Sequence, residues 1–487
     1  MDVDKNKGVN KKKDDNDDRS SSYNDKVVVP PSQPSSSLSK SSHFSFKELL
    51  KSLGPGVITG AANEDPTTIT AYSQAGAQFG FGMLWLALFQ YPMLAIFQEM
   101  CARIGLVTGG GLAAAAIKSK YPKEEKQKAV VILIASLILV ANTINLGADI
   151  GAMAASVRLV FPQLSGIIAT LCFTGLIVST EILVPYKKYV KILKYLVISI
   201  LAYVITAIIV GVGGRWDQIL VSSIIPHFEF TPAFALILVA SFGATMSPYT
   251  FFWQTSEQAE EDVVKHKITE ISGYDRGGNN NRPKISKREF RLMRLDVAIG
   301  MALAQLIMWS VITTTAGSLH THGITDIQTA DQAAKALQPL VKTFPNAGEI
   351  AKTIFALGII GTGMLAVPVM AGASGYALSD VLGWKEGLSK KFTQAKKFYV
   401  VIAASTVIGL WINFVNIDPI KALLYTAIIN GVVAVPIFIA IMRIANDRKI
   451  LKDKVNGKIS NVIGYTTIVI MAVSVVTMLL LHIWPYR

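Results

Sequence analysis

The sequence has little charge and almost no cysteine. Of its 487 residues, 16% are charged and 51% are hydrophobic, which leaves too little polar surface for a soluble protein of this length. The two cysteines, Cys101 and Cys172, lie in separate apolar runs and exclude a disulfide framework or a cysteine metal cluster. The sequence also lacks a P-loop, an HExxH motif and a nucleophile paired with a base, so we do not expect an enzyme.

Apolar runs of about 20 residues recur along most of the chain, and a helix of that length crosses a bilayer core of about 30 Å. They predict an all-α, polytopic membrane protein with about eleven transmembrane helices. The predicted spans are residues 47–76, 81–104, 129–157, 165–184, 192–213, 232–257, 294–317, 349–380, 398–415, 419–443 and 461–484.

The basic residues lie in short connections between the apolar runs, and every second connection is rich in them. Because basic loops stay on the cytoplasmic side, this alternation predicts a cytoplasmic N-terminus and, with an odd number of crossings, a C-terminus outside. It also accounts for the net charge of +14 without a nucleic-acid partner. We expect a protein of the plasma membrane that contacts lipid and does not require an oligomer.

The first residues of the chain differ from the rest in composition. Residues 1–45 are charged and rich in serine, asparagine and aspartate, with few large apolar side chains. Such a segment cannot bury enough apolar area to offset its ordering entropy. We therefore predict a disordered cytoplasmic tail over residues 1–45 and a transmembrane domain over 46–487, with a cytoplasmic loop over 259–290.

The first span is interrupted by Glu64, Asp65 and Pro66, in the stretch GAANEDPTTITAYSQAG. Irregular backbone at membrane depth survives only where it is buried in protein or lines a wet cavity. Carboxylates inside a membrane mark a functional site by default, and the spans offer almost no lysine or arginine to pair with them. We therefore predict a broken helix at an ion-binding site. Pairing with a basic residue on another span is the structural alternative.

The sixth span has a matching interruption at Ser247 and Pro248, in the stretch SFGATMSPYTFFWQTSEQ. Spans one and six hold corresponding positions if spans one to five and six to ten form two repeats, and they enter the membrane from opposite sides. Paired interruptions of this kind indicate inverted repeats and a transporter whose substrate site lies at the midplane. Carboxylate, hydroxyl and freed carbonyl oxygens are the ligands that a hard divalent cation prefers.

The same stretches resemble the natural resistance-associated macrophage protein (NRAMP) family of divalent metal transporters. LGPGVITGAANEDPTTITAYSQAGAQFG is similar to the family's first helix, QEMCARIGLVTGGGLA to the end of its second, and GATMSPYTFFWQTS to its sixth. The resemblance covers residues 47 to about 443 and implies a LeuT-like inverted repeat with broken helices 1 and 6. It also implies a secondary transporter with a metal ion as substrate and no cofactor.

The resemblance further implies a set of metal ligands. Asp65 matches the family's metal-binding aspartate, and Thr68 matches its asparagine. Ala244 matches an alanine that offers its backbone carbonyl, and Ser247 matches a methionine whose thioether contacts the metal. Tyr249 matches a histidine tied to proton movement. The predicted ligands are Asp65, Thr68, Ala62, Ala244, Ser247 and Glu64.

Departures from the family pattern change the expected chemistry. Serine at position 247 removes a soft thioether, which favours Mn²⁺ and Fe²⁺ over Mg²⁺, and leaves only oxygen ligands. Thr68 is shorter than asparagine, so the site has room for a partly hydrated ion such as Mg²⁺, which gives up its waters reluctantly. Tyr249 and Leu146 replace groups that can relay protons. The chain is thus more similar to NRAMP-related magnesium carriers, and we expect alternating-access transport of Mg²⁺, Mn²⁺ or both, with weak or absent proton coupling.

Two alternatives stay open at this point. Asp149, with Asn142 and Asn145 on the turns before it, forms a polar stripe on the third span. Asn145 and Asp149, with Tyr249 and Asn430, outline an ion or proton path. Polar contact between helices is an equal explanation for the stripe. In addition, LeuT-like folds carry small organic solutes such as amino acids with a coupling ion, although two adjacent acids at the first break disfavour an anionic substrate.

Overall fold

The computed structural model describes residues 54–118, 124–183, 201–271, 283–414 and 417–483, and in these ranges the chain is helical and contains no strand. The predicted tail, residues 1–45, lies outside them. The helices of the first half are α1 (Pro55–Ala62), α2 (Pro66–Phe79), α3 (Trp85–Thr108), α4 (Leu112–Lys118), α5 (Glu124–Val160), α6 (Gly166–Leu183), α7 (Leu201–Val210) and α8 (Trp216–Ile224).

The second half begins with the other interrupted span. Its helices are α9 (Pro232–Thr245), α10 (Pro248–Val264), α11 (Lys287–Ser318), α12 (Ala330–Ala334), α13 (Gln338–Val341), α14 (Ala347–Leu382), α15 (Lys396–Leu410), α16 (Pro419–Ala445), α17 (Arg448–Leu451) and α18 (Lys458–Ile483). Because α10 ends at Val264, the sixth span continues beyond its predicted end at residue 257.

Within the described ranges, eight helices are long and apolar enough to cross a membrane, and two bent pairs raise the number to ten. One pair joins Pro66–Met83 to Trp85–Thr108 at an angle of 110°. Pro66–Met83 holds the second half of the predicted first span, and Trp85–Thr108 holds most of the predicted second span. With these two counted separately and the second bent pair, Ala202–Val210 with Gly213–Ile224, counted as one, the number is the eleven expected from the sequence.

The sixth span, Pro232–Val264, lies inside the bundle. In its most apolar window 89% of the residues are buried, against 28% for Gly166–Leu183 and 22% for Lys458–His482. The exposed apolar faces of α6 and α18 are suited to contact lipid, where a helix must satisfy its own backbone hydrogen bonds. The interruption at residues 246–247 is instead surrounded by protein, which permits irregular backbone at that depth.

A buried arginine connects α3 to the segment between α17 and α18. Arg103 is 1% exposed, and its Nη1 donates to the Lys454 carbonyl at 2.8 Å. Its Nη2 donates to the side-chain oxygen of Asn456. The guanidinium also lies 3.2 Å from Glu99, one turn earlier on the same helix, and Glu99 pairs with Arg294 of α11 at 2.8 Å. Glu99 and Arg103 thus form a salt bridge at four-residue spacing along α3.

Candidate metal site

The first break is shaped by a helix cap. Asp65 has extended backbone between α1 and α2, and its Oδ1 accepts the backbone N–H of Thr68 at 2.6 Å. Pro66 follows at the first helical position, where its missing N–H costs nothing. An aspartate before a proline is thus a favourable start for α2 as well as a charge at membrane depth. The cap fixes Asp65 at the break and leaves its second carboxylate oxygen available for other contacts.

The second break brings a serine and two carbonyl groups together. Ser247 precedes Pro248 in extended backbone, but its side chain does not cap α10. Its Oγ lies 2.8 Å from the Ala244 carbonyl and 3.0 Å from the Gly243 carbonyl, both at the end of α9. The hydroxyl of Thr68 also donates to the Ala244 carbonyl, at 3.3 Å. The Ala244 oxygen is therefore the point where the two broken spans meet.

Tyr249 connects the breaks on their other side. Its hydroxyl lies 2.9 Å from the Ala62 carbonyl at the end of α1 and 3.1 Å from Asp65 Oδ2. The structure therefore brings together Asp65, Thr68, Ala62, Ala244 and Ser247, five of the six predicted ligands, with Tyr249 beside them. The result is a cluster of one carboxylate, two carbonyls and three hydroxyls.

Glu64 has a different environment from these five residues. It is fully buried, and neither of its carboxylate oxygens accepts a hydrogen bond from any residue that the structure describes. Both polar atoms of the Asn63 side chain are likewise without a partner. Buried polar groups normally find a protein or water partner. The Glu64 carboxyl group is therefore not held by the hydrogen bonds that join the other five predicted ligands.

A second set of polar side chains contacts Thr67, at the start of α2 directly after the first break. The hydroxyl of Thr67 is 2.6 Å from Asn145 Oδ1, 2.9 Å from Asp149 Oδ1 and 3.2 Å from the Thr426 hydroxyl. The Thr67 N–H also donates to Asp149 Oδ1 at 3.2 Å. Asp149 Oδ2 and the amide nitrogens of Asn145 and Asn430 are buried without a hydrogen-bond partner in the described ranges.

The polar stripe on α5 thus divides into two parts. Asn145 and Asp149 meet α2 beside the ligand cluster, whereas Asn142 donates to the Ser374 hydroxyl of α14 at 2.9 Å and connects two helices. Thr67 was not among the site residues predicted from the sequence. The two adjacent threonines after Pro66 could have indicated it, because neighbouring residues on a helix point to different sides. Here Thr67 contacts Asn145 and Asp149, whereas Thr68 contacts the Ala244 carbonyl.

The ligand cluster is closed to solvent. Asp65, Thr68 and Ser247 are each 0% exposed, as are the two alanines and Tyr249. Towards the end of α2, the Gln74 side chain accepts the Ile327 N–H at 2.9 Å and holds the loop before α12. No group of three or more His, Cys, Asp or Glu residues in the described part of the chain could hold a metal ion. A cation held by the cluster would meet one carboxylate, that of Asp65, among neutral oxygens.

Comparison with known protein families identifies the family to which this chain belongs. A profile of the family described as natural resistance-associated macrophage protein-like (Nramp) matches residues 56–481. The chain belongs to the Nramp family. As an Nramp protein it is an integral membrane transporter and not an enzyme. The resemblance noted in the sequence is thereby confirmed.

Among related sequences, this Nramp chain is similar to two bacterial proteins named divalent metal cation transporter MntH. The protein of Pectobacterium carotovorum subsp. carotovorum (strain PC1) is 23% identical over 445 residues, which cover 90% of this chain and 96% of the relative. That of Erwinia tasmaniensis (strain DSM 17950) is 23% identical over 426 residues, covering 86% and 91%.

Among solved structures, this Nramp chain is similar to the Eremococcus coleocola manganese transporter in complex with an aromatic bis-isothiourea substituted compound. The TM-score is 0.66 at 15% identity, with 92% of this chain and 91% of the other covered. Mhp1, a nucleobase-cation-symport-1 family transporter in a closed conformation, matches with a TM-score of 0.50 at 14% identity, covering 88% and 91%. These likenesses confirm the LeuT-like fold that the family resemblance implied.

Proposed function

We propose that this Nramp protein is a secondary transporter that moves divalent metal cations across the membrane by alternating access. The observation that carries the proposal is the convergence of the Asp65 carboxylate, the Ala62 and Ala244 carbonyls and two hydroxyls at paired helix breaks. Discontinuous helices at the midplane supply such ligands in transporters of this architecture. Both the MntH relatives and the Eremococcus coleocola protein are named for metal transport, which supports the choice of substrate.

Mg²⁺ and Mn²⁺ fit the chemistry of the ligands best. Every candidate donor is an oxygen atom, and hard cations prefer oxygen, whereas softer ions gain from sulfur. Ser247 offers a hydroxyl where the family has a thioether, and this hydroxyl lies beside the Gly243 and Ala244 carbonyls. We therefore expect the set not to discriminate strongly between Mg²⁺ and Mn²⁺, and its lack of sulfur supports the proposal that this chain is nearer to the magnesium-type carriers.

A partly hydrated ion would also account for Glu64. Mg²⁺ keeps several waters in protein sites because it dehydrates reluctantly. Waters on the ion would donate to the carboxylate of Glu64, whose oxygens accept no hydrogen bond from the described residues. In this proposal Asp65 contacts the ion directly, and Glu64 adds charge through the bound water.

Proton coupling is weak or absent in the proposed mechanism. Tyr249 donates its hydroxyl to Ala62 and Asp65 and ordinarily titrates near pH 10, far from the value of about 6.5 for histidine. Leu146 is a buried apolar residue where the family has an acid. The polar route that remains for an ion or a proton consists of Thr67, Asn145, Asp149 and Asn430. Without coupling, the membrane potential drives uptake, at about 2.3 kcal/mol per charge per 100 mV.

The loop charges support an orientation for this transport. Basic residues are concentrated in alternate loops, which favours a plasma-membrane protein with a cytoplasmic N-terminus and a C-terminus outside. A negative cell interior would then draw a divalent cation from the C-terminal side towards the side on which α1 begins. Neither contact with a nucleic acid nor an oligomer is needed for this mechanism.

The test is uptake into proteoliposomes that contain both a metal indicator and a pH indicator. Mg²⁺ and Mn²⁺ should both enter, with or without a pH gradient, and a negative internal potential should accelerate both. A panel of amino acids should neither enter nor compete. Metal-dependent acidification that disappears in Glu64→Gln would overturn uncoupled transport and make Glu64 the proton carrier. Uptake of an amino acid without metal uptake would overturn the substrate class.

A further inference from the structure

The short helix α1 begins without a cap of its own. Its first residue is Pro55, its N-cap is Gly54, and no acidic residue lies in its first turn. The N–H groups at the start of a helix have no partner within the helix and are usually satisfied by a nearby side chain. Gly54 has no side chain that can do this, so the acceptor must come from elsewhere.

Asp296 of α11 supplies that acceptor across the bundle. Its Oδ1 accepts the Gly54 N–H at 2.8 Å, and its Oδ2 accepts the Gly56 N–H at 2.7 Å. The residue is 7% exposed and therefore largely shielded from competing water. A carboxylate at a helix N-terminus also complements the positive end of the helix dipole. One side chain thus replaces the missing cap and binds α1 to α11.

Backbone-to-backbone contact between α1 and α11 accompanies this cap. A Cβ on Gly300 would lie 2.2 Å from the Gly56 carbonyl oxygen, and one on Gly60 would lie 2.3 Å from the Gly300 carbonyl oxygen. Both distances are too short for any real Cβ, so only glycine permits this approach. The position of α1 is consequently determined by the glycines along its length and by Asp296 at its start.

The far end of α1 belongs to the ligand cluster. Ala62 is its last residue, and the Ala62 carbonyl meets Tyr249 beside Asp65. An eight-residue helix is about 12 Å long and moves as one piece. Any motion that frees the start of α1 from α11 therefore also moves the Ala62 oxygen and uncovers the closed cluster from that side.

We propose that Asp296 is a positioning residue that latches α1 against α11, and so holds the Ala62 carbonyl at the ion and closes the route on the side where α1 begins. The proposal rests on the proposed transport function. Its test measures access to α1 without any ion, so failure of metal transport and failure of the latch give different results.

The test uses a single reporter cysteine, Thr59→Cys, with Cys101 and Cys172 replaced by serine. Thr59 is buried on α1, and its hydroxyl bonds only within that helix. A membrane-impermeant thiol reagent is applied separately to each face of oriented vesicles. Asp296→Ala should accelerate labelling about tenfold, equivalent to about 1.4 kcal/mol, from the face where α1 begins and not from the other. It should also weaken metal binding, because the Ala62 carbonyl is no longer held.

Two further variants separate a latch from a general loss of structure. Gly300→Ala leaves the Asp296 carboxylate in place, but its methyl group would overlap the Gly56 carbonyl of α1. This variant should therefore accelerate labelling from the same face. Asp418→Ala removes a cap of the same kind from α16, where Asp418 accepts the Ile420 N–H at 2.9 Å, and should leave labelling unchanged.

The outcomes against the latch are equally specific. A labelling rate for Asp296→Ala within about twofold of the parent, or equal acceleration from both faces, overturns the latch. Acceleration in Asp418→Ala to the same extent overturns it as well. If Asp296→Ala yields no folded protein, Asp296→Asn takes its place in the test. The asparagine keeps the shape of the side chain but only one of its two acceptor oxygens. A labelling rate equal to that of the parent would contradict the proposal.

Discussion

Tyr249 shares one proton between two acceptors, the Ala62 carbonyl and Asp65 Oδ2. A cation held by those same two oxygens would repel this proton. The hydroxyl would then have to rotate and present its oxygen, which would make Tyr249 a further neutral ligand. At the scale of single residues, the closed cluster already contains the groups that a divalent ion needs, and its own hydrogen bonds occupy them.

Among the residues that the structure describes, Asp65 supplies the only carboxylate that joins the hydrogen bonds of the cluster. Asp65→Ala should therefore reduce metal uptake about 100-fold, which corresponds to about 2.7 kcal/mol. The measurement is initial uptake in proteoliposomes, normalised to folded protein by size-exclusion chromatography. Asp418→Asn, at a helix cap outside the cluster, is the matched control. Near-normal uptake by Asp65→Ala would place the ion elsewhere.

In the proposed site, Ser247 is the position at which the family's soft thioether is replaced by a hard hydroxyl oxygen. Ser247→Met should raise the preference for Cd²⁺ over Mg²⁺ about tenfold, because a thioether binds soft ions better than hard ones. Competition between the two ions for uptake gives the ratio. Ser247→Ala removes the hydroxyl without adding sulfur and should not favour Cd²⁺. A parent protein that already prefers Cd²⁺ strongly would contradict the assignment of a hard-ion site.

At the scale of helices, both breaks could be predicted from the sequence because proline and acidic residues are conspicuous in apolar spans. Pairing the two breaks predicted a shared site, and the resemblance to the Nramp family named Asp65, Thr68 and Ser247 within it. The cap of α1 could not be predicted, since Gly54 and Asp296 are 242 residues apart and no local pattern relates them. The contact of Thr67 with Asp149 was hidden for the same reason, because its partners lie on another span.

Close packing of α9 and α16 supports the Ala244 carbonyl. A Cβ on Gly243 would lie 1.9 Å from the Ala427 carbonyl oxygen and 2.3 Å from the Gly431 nitrogen. Gly243→Ala should therefore separate the two helices, shift Ala244 and reduce both uptake and the thermal unfolding midpoint. Gly175→Ala is the control, since nothing lies within 4 Å of the added methyl group, and alanine should be neutral or stabilising. Equal behaviour of the two variants would refute the packing argument.

At the scale of the whole molecule, stability should depend on pH through an acid outside the membrane spans. Glu386 is 3% exposed, and burial, together with the charge of Asp380, raises its pKa well above the ordinary value of 4.5. The folded state thus favours the protonated acid. Its contribution to stability is complete below pH 4.5 and is lost as the pH rises towards the folded-state pKa.

This linkage predicts a thermal unfolding midpoint in detergent that falls as the pH rises above 4.5 towards the folded-state pKa of Glu386. Glu386→Gln should flatten that slope and raise the midpoint at the higher pH, because an amide carries no charge to bury. Glu349→Gln, at a side chain that is 69% exposed, should leave the slope as it is. An unaltered slope in Glu386→Gln would show that another group titrates.

The contacts of Arg103 also bear on how the chain is made. Its two distant acceptors, the Lys454 carbonyl and the Asn456 side chain, lie 351 and 353 residues later in the sequence. Glu99, in contrast, is only four residues earlier. At the usual rates of synthesis, about 20–70 s pass between the emergence of Arg103 and that of Lys454. During this time Glu99 is the local partner available to the guanidinium. A chain that ends before Lys454 therefore lacks both of these acceptors and leaves the guanidinium of Arg103 incompletely satisfied.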